Sequence, residues 1–200
     1  MIEQFGPRVA NAWNHLRAPT RQLVERALGA PARPTPPRTA QGATYDHRAD
    51  EEPRQLLAAL DEHISQAQAP PDRQAARRVA DVCATLLSEQ TQSAEIFGQL
   101  IERAHRRQDY AQVDKLAELL PKRLAPSEIC ELARAGNVIV RALAQEALTQ
   151  VPTSVLAMLL RDPVDALVAR QALERQAFEF SSPEAQHVLQ NFDESRLEEY

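Results

Sequence analysis

Apolar residues recur at helical spacing along most of this 200-residue chain. Ile2, Phe5, Val9, Ala12, Trp13 and Leu16 fall on one face of the first segment. Leu23, Val24, Ala27 and Leu28 prolong that face after Pro19, with Thr20 as a candidate new cap. Residues 1–29 are therefore read as an amphipathic helical arm. Residues 30–52 carry Pro31, Pro34, Pro36 and Pro37 and almost no apolar side chain. Such a stretch cannot build a core and predicts a semi-extended tether. From Pro53 the helical pattern resumes and holds nearly to the end, which sets residues 53–200 apart as the folded body. Its first four faces are Leu56, Leu57, Leu60 and Ile64; Val79, Val82, Cys83, Leu86 and Leu87; Ile96, Phe97, Leu100, Ile101 and Ala104; and Val113, Leu116, Ala117 and Leu120. Pro70 and Pro71 punctuate the first two, with Asp72 in the opening turn that follows, where a carboxylate suits the helix dipole. Asp109, with Gln112 three residues on, reads as a capping box that restarts a helix after a tight turn.

Two later stretches repeat one another at a spacing of 25 to 26 residues: 126–150 and 152–176, each a pair of short amphipathic helices opened by a proline. Asn137 and Asp162 occupy equivalent places as N-caps of the second helices, with Gly136 suited to the preceding turn and Pro163 to the first helical position. Beyond the cap, Leu143, Ala144, Ala147 and Leu148 align with Val168, Ala169, Ala172 and Leu173. Small residues at matching places let neighbouring helices approach closely. Units of this size bury their apolar faces only against their neighbours, so the pattern predicts an all-α fold: an α-solenoid-like stack of antiparallel helical hairpins with a detached N-terminal amphipathic helix. Ser182 and Pro183 open a last helix bearing Ala185, Val188, Leu189 and Phe192.

The residues Pro126, Leu132, Ala133, Val140, Arg141 and Ala144, with Pro152, Leu159, Leu160, Asp162, Pro163 and Ala169 in the second unit, resemble HEAT-like repeats. They are especially similar to the short leucine-rich-repeat variant found in bacteria. The resemblance spans about residues 126–190. Ala166 and Leu167 stand where the Val-Arg pair of the pattern would be, so the arginine ladder of such repeats is not sustained. What the resemblance implies is a curved helical stack used for binding, with no activity attached to it.

Composition narrows the picture. Aromatics are only 4% of residues, which leaves Leu, Ala, Val and Ile to fill the interior. The two cysteines, Cys83 and Cys130, lie far apart in apolar surroundings and provide neither a disulfide framework nor a zinc site. No apolar run approaches the roughly 18 residues needed to span a bilayer. The N-terminus lacks the apolar stretch of a secretory signal. The expectation is a cytoplasmic protein.

No residue constellation specifies a chemistry. His15, His47, His63, His105 and His187 are scattered. Asp61, Glu62 and His63 are consecutive, and adjacent residues on a helix point apart and cannot close on one ion. There is no Gly-x-Ser-x-Gly, and five glycines in the whole chain leave no phosphate-cradling loop. The expectation is a non-enzymatic protein without cofactor or metal.

Charge is distributed unevenly. Residues 1–40 hold six arginines and two glutamates, a net of +4, so with −5 overall the remainder carries −9. A basic arm on an acidic body either folds back as a cap on the array or docks on a partner groove, an anionic membrane or another protomer. The basic residues His105, Arg106, Arg107, Arg134, Arg141, Arg161, Arg170 and Arg175 keep nucleic acid open as a rival, against which the acidic body argues. The reading adopted is a protein-protein interaction scaffold that holds a partner through Arg141, Gln145 and Arg170 on the second helices and through Phe5 and Trp13 on the arm. The alternative is a peripheral membrane or nucleic-acid-binding helical-repeat protein.

Overall fold

The computed structural model describes residues 2–29 and 47–197, with side chains described for 2–29 and 50–192. Among the described residues every regular element is helical: a 3₁₀ segment, Ile2–Phe5, and eleven α-helices. They group into two compact units, Met1–Thr91 and Gln92–Tyr200.

The first unit contains α1 (Pro7–His15), α2 (Ala18–Gly29), α3 (His47–Gln66) and α4 (Pro70–Gln90). Helices α3 and α4 pack along one another, burying Leu56, Leu57 and Leu60 against Val79, Ala80, Cys83 and Leu87. Two helices alone would leave one side of that pair wet. The N-terminal segment covers it: α1 packs on α3, α2 on α4 and α3, and the 3₁₀ segment on α1 and α4. Ile2, Phe5, Val9, Trp13, Leu16 and Val24 are all buried. The Phe5 ring lies 5.6 Å from the His63 ring, while His63 Nε2 is a buried atom without a hydrogen bond, 3.4 Å from Asp72 Oδ2. Gly6 makes the turn from the 3₁₀ segment into α1 at φ 100°, a conformation that disfavours any side chain.

The expected detached arm is thus corrected: the N-terminal helices are part of the first unit's core. Their amphipathic stripe has its complement on α3 and α4, and burying it there removes apolar area from water at no cost in association entropy. Polar contacts fix the position. Glu52 on α3 accepts hydrogen bonds from the Arg17 backbone N–H (3.0 Å), the Arg17 Nε (2.5 Å) and Thr20 Oγ1 (2.9 Å). Arg8 pairs with Glu62. Of the tether expected over 30–52, residues 47–52 belong to α3, with Pro53 inside the helix; residues 30–46 lie outside those described.

The second unit runs through α5 (Ala94–Arg106), α6 (Tyr110–Arg123), α7 (Pro126–Ala133), α8 (Val138–Leu148), α9 (Thr153–Leu159), α10 (Ala166–Phe178) and α11 (Pro183–Leu197). Sequential helices pack in pairs, α5 with α6, α7 with α8 and α9 with α10; α10 also touches α7 and α8, and α11 lies on α10. Gly98 of α5 faces Leu132 of α7 and Val140 of α8, where a Cβ would meet Leu132 Cδ2 at an ordinary contact distance of 3.4 Å. At the end of α5 the chain reverses through Gln108 at φ 57°, whose N–H bonds His105 O while the Asp109 N–H bonds Ala104 O. This doubly bonded C-terminal cap runs straight into the next N-cap, where Asp109 accepts from the Gln112 N–H at 3.1 Å.

Three of the four aligned pairs match in burial, while Leu143 is only half-buried where Val168 is buried. Ala144 and Ala169 are both fully buried, and Ala147 with Ala172 and Leu148 with Leu173 are buried in matching places. Asn137 caps α8 as expected, accepting from the Ile139 and Val140 N–H groups. Asp162 does not cap α10. Its side chain accepts from the Val164 N–H and its carbonyl from those of Asp165 and Ala166, so 162–165 form a turn and α10 starts at Ala166. Asp165, buried beneath that turn, meets Arg134 at 2.6 Å. Gln176 ties the α8–α9 connection to α10: its Nε2 donates to Thr149 O and Val151 O, and its Oε1 accepts from Thr153 Oγ1.

Candidate functional site

Between α8 and α10 the surface carries a groove of about 460 Å³. Its floor is apolar: Leu148 from α8, with Val168 and Ala172 from α10. Gln145, Gln171 and Phe178 rim it. Phe178 is 77% exposed, more than any other large apolar side chain described, and Phe180 just beyond is also exposed. An aromatic ring held in water beside an apolar slot is the kind of surface that partners cover.

Charged side chains along the groove are arranged in rows. Arg175 donates to Glu146 Oε2 at 3.0 Å across the helices and to Glu179 along α10; these hydrogen bonds raise its pKa further, so it is a permanent cation. Arg170 pairs with Glu174 one turn on. The carboxylates stand farther into solvent: side-chain exposure is 58% for Glu146, 54% for Glu179 and 42% for Glu174, against 31% for Arg175 and 34% for Arg170. Of these side chains Glu174, Arg175 and Glu179 line the groove itself, two acids to one guanidinium with the acids the more exposed, which gives the rim an acidic edge.

The residues singled out from the sequence are placed unequally. Gln145 lines the groove. Arg170 lies on α10 in its pair with Glu174. Arg141 is half-buried and donates to Ala135 O at 3.1 Å, folded back on the turn that precedes its own helix. Phe5 and Trp13 are covered by the first unit's own helices. The sequence pattern does not single out Phe178 or the three glutamates, and it raises Arg175 only among the basic residues that keep nucleic acid open. Phe178 occupies the last turn of α10, and its exposure depends on where that helix ends.

The groups considered for catalysis do not gather. His63 and Cys83 belong to the first unit, and His105 stacks edge-on against Tyr110 in the second, with ring centroids 6.4 Å apart. Cys130 is fully buried. Burial, with Asp165 and Asp162 adding repulsion against the opposing Arg134, pushes its thiol up to about 11, the reverse of an activated nucleophile. Among the described residues no cluster of three or more His, Cys, Asp or Glu side chains could hold a metal ion, and no helix is long and apolar enough to cross a membrane.

Comparison with known protein families, with curated proteins and with solved structures finds no match to this chain.

Proposed function

We propose that this protein is a non-catalytic binding module of the cytoplasm that holds a protein partner in the groove between α8 and α10, on a solenoid-like stack of helical hairpins. The observation that carries the reading is the slot itself. An apolar floor and an exposed phenylalanine sit where two similar hairpins meet, on helices whose own caps and buried glutamine hold them in register. A surface built on short mutually supporting helices is suited to rigid, pre-organised recognition. Burial of Trp13 removes the motive for an arm that inserts into a membrane, and the acidic rim does not favour a phosphate backbone.

The test uses the whole protein as bait. Phe178→Ser and Gln171→Trp alter exposed rim positions; Tyr110→Ser alters an exposed aromatic on α6 as a control. A partner identified by mass spectrometry should be retained by the wild type and by Tyr110→Ser and lost by both rim variants. Equal retention by all four proteins would refute the groove as the contact surface.

A further inference from the structure

We infer that the segment the groove accepts is a basic amphipathic helix, presenting an apolar stripe to the slot and Lys or Arg side chains to its edge. This rests on the groove being the contact surface and adds the chemistry of what enters it.

The argument is one of charge complementarity along an apolar slot. The floor of Leu148, Val168 and Ala172 provides one narrow apolar track, matched by residues spaced three and four apart on an incoming helix rather than by a flat surface. Beside that track, Arg175 is already held by Glu146 and Glu179, and Arg170 by Glu174, so both cations are engaged within the protein. Glu146 and Glu174 each give one oxygen to these pairs and keep the other for an incoming cation, whereas Glu179 turns both oxygens to Arg175; all three are more exposed than the arginine they face. An incoming cation meets acceptors at the lip. An incoming carboxylate meets only like charge before it reaches a guanidinium. Phe178, standing in water at the same lip, gives an arriving Lys or Arg an aromatic face as well.

The probes are two synthetic 18-residue helical peptides with the same leucine stripe, one with lysine and one with glutamate on the polar positions, each carrying a fluorophore. Binding to the full-length protein is read by anisotropy at low and high salt. The Leu-Lys peptide should bind about tenfold more tightly than the Leu-Glu peptide and lose that advantage in high salt. The double variant Glu146→Gln/Glu179→Gln should weaken it about fivefold, the scale of two partly exposed charge contacts. Phe178→Ser should weaken both peptides. If the Leu-Glu peptide binds as well as the Leu-Lys peptide and Phe178→Ser abolishes both, the basic-partner inference is overturned while the groove stands. If neither peptide binds, or if Phe178→Ser leaves binding unchanged, the groove reading falls with it.

Discussion

Replacing Phe5 with alanine tests whether the N-terminal segment belongs to the first unit's core. The ring is 3% exposed and packs against His63 at 5.6 Å. Large-to-small substitution of a buried phenylalanine costs about 3–5 kcal/mol, transfer and cavity terms together. Phe5 lies near a chain end that can relax into the space left behind, so the lower part of that range, about 3 kcal/mol, is expected. In a domain of this size each kcal/mol shifts the melting temperature by about 4–8 °C, which puts the loss above about 12 °C. The chain has a single tryptophan, Trp13, and it lies in this unit at 8% exposure, so urea unfolding followed by tryptophan fluorescence reports the first unit selectively. Gln4→Ala, one residue away and exposed, should stay within about 0.5 kcal/mol of the parent. A loss below 1 kcal/mol for Phe5→Ala, or a Trp13 emission spectrum typical of water in the native protein, would refute the packing.

Other consequences concern single contacts. In Gln176→Leu the Val151 carbonyl and the Thr153 hydroxyl lose their partner in a buried setting; two such groups at about 1–3 kcal/mol each predict a loss on the order of 2–6 kcal/mol, measured by circular dichroism during urea unfolding. Burial alone would raise the Glu52 pKa, but the hydrogen bonds from the Arg17 backbone, Thr20 and the Arg17 side chain together hold it below the ordinary 4.5. A depressed native pKa gives stability that is present above pH 4.5 and is lost as pH falls through the native value. Glu52→Gln should therefore be less stable than the parent at neutral pH and converge with it in acid, as read by Trp13 fluorescence. Cys83 and Cys130 are both fully buried and the Cys130 thiol titrates near 11, so neither should react with a thiol reagent at pH 8 until urea unfolds the protein. Gln108→Gly places glycine at φ 57° and should stabilise the second unit by about 1 kcal/mol in thermal unfolding.

Helix positions were legible because apolar spacing and caps are local properties. Asp109 and Asn137 cap where their side chains predict, and the aligned alanines of α8 and α10 share the same burial. The N-terminal arm shows the limit of that information. Its stripe states that a face will be buried but not against what, and the complementary faces on α3 and α4 lie far along the chain, beyond the proline-rich segment. Asp162 shows another limit. It matches Asn137 in sequence, yet the chain makes an extra turn there, because Asp165 lies buried against Arg134 and the helix starts beyond it. The groove was out of reach for a related reason. Its depth comes from the spacing of two helices: the pattern marks Leu148, Val168 and Ala172 as apolar repeat positions and Gln145 as a projecting one, but nothing in it places them around one slot.

The most direct test of the account is hydrogen–deuterium exchange of the full-length protein, alone and saturated with the partner retained by the bait. Slowed exchange confined to the facing parts of α8 and α10, within residues 145–179, is the predicted result. Protection that leaves those helices unchanged and falls instead on α1 and α2 would contradict it.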